Sequence, residues 1–346
     1  MELNFKTKTL LRWFDSNKKD FPWSKNKSPY LVWISEIMLQ QTVAASVIPY
    51  FERWSRDYPD VRTLAEAKLS EVLSHWEGLG YYSRCRNLHR AANVIVESFS
   101  GKLPDSYKEL KALPGIGDYT ARAVLSIALK QPFAVLDANV KRIVQRLTAT
   151  VNWEKGYDKV AIFALENILP VDRPGDFNEA MMQLGQKVCL SSSPRCEICP
   201  LADSCLALKK GITGKIPDKI KKKIKKSEKA VLLIKKNEKV LLQKKKRGLF
   251  HDLWLLPQVQ ITDTEDIIWM NLNWSELESV KLKKINHFYT ENKDILSPYL
   301  FNNPDPDRSQ ITPENDEDYN YQWVDIDQLH KYPTPSVYRK ILNEVF

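Results

Sequence analysis

Two carboxylates and four thiols are the side chains of this sequence whose setting suggests chemistry. Glu36 lies in SPYLVWISEIMLQQT, with Tyr30, Leu31, Val32, Trp33, Ile34, Ile37, Met38 and Leu39 around it. A helix apolar on nearly every side is a buried helix, and burial raises a carboxyl pKa. Such a group keeps its proton and can act as a general acid; a buried Glu paired with an Arg is the structural alternative. Asp137 opens DANVKRIVQRL, where it can cap the helix that follows. The positive end of a helix dipole and backbone N–H groups favour a carboxylate, so it could face a developing positive charge, with Asn139 placed to orient it. A simple cap is the alternative. One protonated and one ionised carboxylate suit cleavage of a glycosidic bond: the acid protonates the leaving group, and the anion stabilises an oxocarbenium-like sugar.

The thiols are Cys189, Cys196, Cys199 and Cys205, spaced Cys-x6-Cys-x2-Cys-x5-Cys, while Cys85 stands apart as an expected packed thiol. No apolar core followed by small cleavage-site residues marks the N-terminal stretch, so a cytoplasmic protein with reduced thiols is expected. A tight cluster of thiols then points to a metal centre, zinc or iron–sulfur, with coincidentally clustered structural cysteines as the alternative.

A further motif is LPGIGDYTA, from Leu113 to Ala121. Gly115 and Gly117 let the backbone turn tightly before a helix, with amide N–H groups available to a phosphate. A dinucleotide fingerprint fails, since no strand precedes the motif and Thr120 stands at its third glycine position. An ordinary helix–helix turn is the other reading. A phosphate-binding turn favours a nucleic-acid substrate, whose base must leave the duplex to be reached.

These groups must be held by more than one domain, because 346 residues exceed the usual size of one. Hydrophobic residues at 43% and charged residues at 27% describe a folded chain and exclude wholesale disorder. No apolar run reaches the length of a membrane helix. The formal charge is +9, and residues 209–229 hold ten Lys against Asp218 and Glu228. That segment is either a site for a polyanion or a solvated linker. Residues 1–208 read as helical, with apolar spacings of three and four over 29–41, 61–77, 85–99, 106–112, 119–130, 139–148, 158–168 and 176–188. From 230 to 346 the pattern changes: AVLLIKKNEKVLLQKK is a hairpin turning at Lys236–Glu238, and an α+β module is expected.

In order along the chain, FPW (21–23), PYLVWISEIMLQQT (29–42), GLGYYSRCRNLH (78–89), LPGIGDYTA, LDANVKR (136–142), FNEAMMQLGQKVC (177–189) and the cysteine loop resemble the MutY-type adenine DNA glycosylases. The resemblance implies an all-α helix-hairpin-helix catalytic domain over 1–208, made of a six-helix-barrel half and an iron–sulfur half. A basic linker (209–229) and an α+β, Nudix-like recognition domain (230–346) would follow. It implies a [4Fe–4S] cluster on the four cysteines and a monomer acting on double-stranded DNA with adenine opposite 8-oxoguanine or guanine. Glu36 would protonate adenine N7, and Asp137, supported by Asn139, would stabilise or attack the sugar. The amides of Leu113, Gly115 and Gly117 would hold a phosphate, and Gln41 and Tyr81 would enter the base stack. Tyr119 stands where endonuclease III-like relatives place a Schiff-base lysine, so the resemblance implies a monofunctional enzyme.

The chain also departs from the family pattern. Gln183 replaces the acidic residue of M-[DE]-L-G, so contacts to the adenine edge are expected to differ. The recognition loop H-x-F-S/T-H becomes His287-Phe288-Tyr289-Thr290-Glu291, retaining a hydroxyl at Thr290 but placing Glu where the final His stands. LWLLP (253–257) resembles the start of a Nudix fold, yet the G-x5-E-x7-R-E-x-x-E-E box is missing, so the domain is expected to read and not to hydrolyse. Two other functions remain open on the residues: an endonuclease III-like lyase, which would nick DNA without alkali, and a non-catalytic damage-binding protein, which would release no base.

Overall fold

The three- and four-residue apolar spacings of the first two hundred residues do form helices in the computed structural model. It describes residues 1–218, 224–261, 267–269, 272–289, 292–304 and 317–346. The helices are α1 (Thr7–Asn17), α2 (Pro22–Lys25), α3 (Pro29–Leu39), α4 (Ala44–Asp57), α5 (Val61–Glu66), α6 (Leu69–Trp76), α7 (Tyr82–Phe99), α8 (Tyr107–Ala112), α9 (Asp118–Ala123), α10 (Ala138–Leu147), α11 (Tyr157–Glu166), α12 (Pro174–Lys187) and α13 (Leu206–Lys209). A π-type turn over Val124–Ala128 extends α9. Two spacings that read as single helices are therefore interrupted, one at Ala67–Lys68 and one by this π-turn. Helices α1, α2, α4 and α13 lie outside the expected stretches, although Val47, Phe51 and Trp54 give α4 a buried stripe at helical spacing. No described helix is long and apolar enough to cross a membrane.

The chain divides into two units, Met1–Ala67 with Ser83–Ile220 and Lys68–Tyr82 with Lys221–Phe346. In the first unit, Leu10 and Phe14 of α1 pack with Val140 and Val144 of α10, Leu165 of α11 and Phe177, Met181 and Leu184 of α12 in one core. Close helix approach is enforced at Gly185, where an added Cβ would sit 2.5 Å from the Asn139 Cβ. Only glycine allows α12 to lie this near the start of α10.

The second unit is built on strands β1 (Lys225–Lys236), β2 (Lys239–Lys245), β3 (Trp254–Leu255), β4 (Gln258–Gln260), β5 (Ile268–Trp269), β6 (Leu272–Asn273), β7 (Val280–Lys281), β8 (Ile285–Tyr289), β9 (Asn292–Asn302) and β10 (Tyr319–Asp325), with helix α14 (Ser336–Val345). The main sheet is mixed and runs β10-β2-β1-β9-β7, with β3, β4 and β8 pairing off this path. Strand β1 pairs parallel to β9 and antiparallel to β2, the latter closing the expected hairpin at Lys236↔Lys239. It is buried on both faces. Val231 and Leu233 face a core shared with Val337, Ile341 and Leu342 of α14. Ala230, Leu232 and Ile234 face another with Trp274 and Phe301. Two-sided burial explains why AVLLI is a continuous apolar run and not an alternating one. Strand β1 starts at Lys225, so the end of the Lys-rich stretch belongs to the sheet.

Candidate active site

Helix α3 is built to bury a carboxyl group. Ser28 caps it by accepting the Leu31 N–H at 3.3 Å, and Pro29 occupies its first position. At its other end the Arg84 guanidinium donates to the carbonyls of Ile37 (2.8 Å) and Met38 (2.9 Å), groups a helix terminus otherwise leaves unpaired. Trp33, Ile34 and Met38 are wholly buried, and Glu36 is 8% exposed. Burial pushes the Glu36 carboxyl up to about 7; a hydrogen bond from Tyr119 pulls it down, and the charges of Glu179 and Asp137 push it up again.

Tyr119, one residue into α9, donates its hydroxyl to Glu36 Oε2 at 2.8 Å and lies 3.1 Å from Met182 Sδ. Its own pKa is far above the usual phenol value, chiefly from burial and then from the Glu36 and Asp137 charges. The phenol is therefore a fixed neutral donor. A tyrosine at this point gives the Glu36 carboxyl a hydrogen bond and offers no amine.

Asp137 is the N-cap of α10. Its Oδ1 accepts the Val140 N–H at 2.7 Å and its Oδ2 accepts the Asn139 side-chain amide at 2.8 Å. Asn139 Oδ1 in turn accepts Arg142 Nη2 at 3.0 Å, and Arg142 continues to the carbonyls of Gly185 (2.8 Å) and Cys189 (2.8 Å). The strand-like approach to Asp137 is held by Asn178, which accepts the Val135 N–H at 3.1 Å and donates to Phe133 O and Ser126 Oγ, both at 2.8 Å. Asn178 was not among the expected residues. Its signal lies only in contacts made more than forty residues away. Glu179, also unexpected, has its pKa raised by burial and lowered by Lys27, whose Nζ sits 2.6 Å from its Oε2.

The hairpin corrects one expectation. Leu113 N–H already donates to Leu110 O at 3.1 Å, and Leu113 O accepts Ile116 N–H at 3.2 Å. Leu113 thus has no amide to offer a phosphate. The N–H groups of Gly115 and Gly117 find no acceptor among the described residues, and both glycines are exposed. Gly115 has φ +76, which only glycine adopts freely.

The expected base-stack residues sit in turns. Gln41 is exposed at φ 55, just past the Arg84-capped end of α3. In the second unit, Tyr81 is 38% exposed at φ 49. Gln183 is spent otherwise: its Nε2 donates to Asn17 O at 2.7 Å and its Oε1 accepts Lys19 N–H at 3.2 Å. Both ends of its amide thereby hold the end of α1. Thr290 and Glu291 lie outside the described residues. Beside them on β8, His287 stacks on Phe250 at 6.0 Å, and Tyr289 donates to Asp294 at 2.9 Å.

The four loop cysteines, all partly buried and unbridged, line one small cavity with Val188, Pro194 and Leu208. Burial, and then the neighbouring thiols, raise the pKa values of Cys196 and Cys205; for Cys199 burial comes first as well. Arg146 reaches Cys189 Sγ at 3.2 Å and braces the loop through the carbonyls of Leu190 (2.6 Å) and Ser191 (3.1 Å). Among the described residues no three His, Cys, Asp or Glu side chains gather closely enough for a single metal ion. Four thiols around a shared cavity are a donor set that fits an iron–sulfur cluster.

Residues 34–169 match the HhH-GPD superfamily base excision DNA repair proteins, 189–205 the iron–sulfur binding domain of endonuclease III, and 230–344 the NUDIX domain. The chain is 34% identical to the adenine DNA glycosylase of Buchnera aphidicola subsp. Schizaphis graminum over 345 residues, 97% of each chain. This chain belongs to the adenine DNA glycosylase family. To the human adenine DNA glycosylase it is 40% identical over 211 residues, 58% of this chain and 38% of that protein. A thermostable thymine-DNA glycosylase superposes with TM-score 0.55 at 27% identity, covering 59% of this chain and 95% of that one. Endonuclease III in a DNA complex superposes with TM-score 0.52 at 24% identity, over 60% of this chain and 95% of that one, which shows a shared fold. The family member is accordingly a DNA N-glycosylase of base excision repair. Its cysteine loop carries a [4Fe–4S] cluster, which Cys189, Cys196, Cys199 and Cys205 would hold.

Proposed function

We propose that this glycosylase hydrolyses the N-glycosidic bond of adenine mispaired with 8-oxoguanine or guanine in double-stranded DNA, without cutting the strand. The observation that carries the reading is Glu36: a buried acid that keeps its proton up to about pH 7, hydrogen-bonded to a phenol where a lyase needs an amine. Glu36 donates its proton to the ring nitrogen of the flipped-out adenine, and the bond from the base to C1′ breaks with its electron pair leaving on the base. Asp137, set by Asn139, stabilises the cationic sugar, and water completes the substitution at C1′. Gly115 and Gly117 are the phosphate donors of the helix-hairpin-helix turn, and the Lys-rich 209–229 segment adds sequence-independent attraction to the backbone. Gln41 and Tyr81 enter the stack around the mispair, and the Nudix-like unit reads its other base with Thr290.

An end-labelled duplex with adenine opposite 8-oxoguanine, guanine or thymine, assayed with and without alkali, tests this. Alkali-dependent scission at adenine, fastest opposite 8-oxoguanine, is expected. Scission without alkali would replace the reading with a lyase, and intact adenine in every duplex would remove the roles of Glu36 and Asp137. Equal rates opposite guanine and 8-oxoguanine would retain the chemistry and remove the selectivity.

A further inference from the structure

We propose that Arg339, near the C-terminal end of the chain, is a positioning residue for Tyr81, acting through a salt bridge to Glu77. The inference rests on the reading that Tyr81 enters the DNA stack. All residues involved belong to the second unit, which joins residues 68–82 to the C-terminal sheet and α14.

The turn that presents Tyr81 is bent sharply: Gly78 has φ 103, Gly80 φ 71 and Tyr81 itself φ 49. A bulky L-residue holds a left-handed conformation only where its surroundings impose it. Three restraints surround this turn. From the inside, the fully buried Trp76 donates its indole N–H to Gly80 O at 3.0 Å. On the chain before it, Glu77 receives Arg339 through both carboxylate oxygens, Nε to Oε1 at 2.6 Å and Nη2 to Oε2 at 3.2 Å, and also accepts the Thr334 N–H at 3.1 Å. On the chain after it, Tyr82 donates its hydroxyl to Thr334 O at 3.2 Å. The C-terminal segment thus grips the turn on both sides of Tyr81.

Arg339 is itself well fixed. Its remaining donors go to Leu329 O at 3.0 Å and Tyr332 O at 2.7 Å, and both side chains of the pair are only 18% exposed. A bidentate guanidinium–carboxylate pair with four of the five guanidinium N–H groups engaged constrains orientation as well as distance. Residues 262 positions apart in sequence are joined by it. Strand β8 belongs to the same unit. Arg339 touches neither the DNA nor the reacting atoms; it sets where the Tyr81 ring stands.

The full-length protein tests this with a 2-aminopurine duplex reporting base opening, alongside single-turnover adenine release. Arg339→Ala is expected to slow both by about ten- to a hundredfold, the penalty of an ångström-scale misplacement. Arg339→Lys is expected to recover only part of the rate, and the exchanged pair Glu77→Arg with Arg339→Glu to recover more than either single change. Tyr81→Ala with Arg339→Ala is expected to be no slower than Tyr81→Ala, since both act through one ring. Glu77→Gln, which keeps the size of the side chain, carries the test if Arg339→Ala lowers the melting temperature. An Arg339→Ala rate within about twofold of the parent, or an equal further loss in the Tyr81→Ala background, would overturn the proposal. If Tyr81→Ala alone leaves base opening unchanged, the stacking role of Tyr81 fails first and the positioning role with it.

Discussion

Glu36 and Asp137 are two carboxylates of one helical unit placed in opposite settings. Glu36 lies within a helix whose neighbours Trp33, Ile34 and Met38 exclude water, and it accepts a hydrogen bond from a phenol that itself resists ionisation. Asp137 lies at the start of a helix, where one oxygen meets a backbone N–H and the other an amide braced by Arg142. Apolar burial favours a neutral carboxyl, and N–H donors favour an anionic one. Two carboxyl groups thus meet opposite surroundings according to where on a helix each stands.

The contrast breaks most visibly at Glu36. Glu36→Gln should lower single-turnover adenine release by roughly 10²- to 10⁴-fold, the usual worth of a general acid. The same change should alter stability with a defined sign. The folded carboxyl is raised from 4.5 to about 7, so its contribution to folding is fullest below about 4.5 and is lost as pH rises through about 7. Glu36→Gln lacks that dependence and should melt above the parent at pH 8, by at most on the order of 3 kcal/mol, with the gap closing towards pH 5. A variant less stable than the parent at pH 8 would mean the buried carboxyl is satisfied when charged.

Asp137→Asn probes the other side. Asparagine is a good N-cap, so urea unfolding should stay within about 0.5 kcal/mol of the parent, while the single-turnover rate falls roughly 10²-fold or more. A rate above one-tenth of the parent's would reduce Asp137 to a cap. Gly185→Ala acts on the same region from behind. Its Cβ must displace Asn139, so a loss of about 1–3 kcal/mol on unfolding is expected, with a rate loss that the Glu36 pH profile does not register. Tyr119→Phe should have the smallest effect, a few-fold in rate. Its hydroxyl lowers the Glu36 pKa, so removing it should move the alkaline fall of the pH–rate profile to higher pH. An unmoved profile would show that the hydrogen bond does not govern Glu36.

Much of this site was legible where the signal is local. A wholly apolar helix around Glu36, a cap position at Asp137, a glycine turn at 115–117 and thiol spacing at 189–205 are each contained in a dozen or so residues, and each has a backbone or burial cause. What was less legible depends on hydrogen-bond partners that the residue types alone do not name. Gln183 looks available in sequence but holds Asn17 and Lys19, more than a hundred and sixty residues away. Leu113 looks like a phosphate donor until its N–H is followed to Leu110. Asn178 and Glu179, within a recognisable segment, gave no sign of ordering the Phe133–Val135 approach or of meeting Lys27.

Helical periodicity, the buried strand at AVLLI and the buried setting of Glu36 all follow from the sequence, because they depend on neighbours three or four positions away or on burial that composition demands. Which oxygen of Glu36 meets Tyr119, how closely α12 approaches Asn139 at Gly185, and which arginine grips Glu77 were decided only when distant segments packed. Hydrogen bonds and close contacts have ranges of a few ångströms in space and no fixed range along the chain, so their partners appear only in the folded molecule.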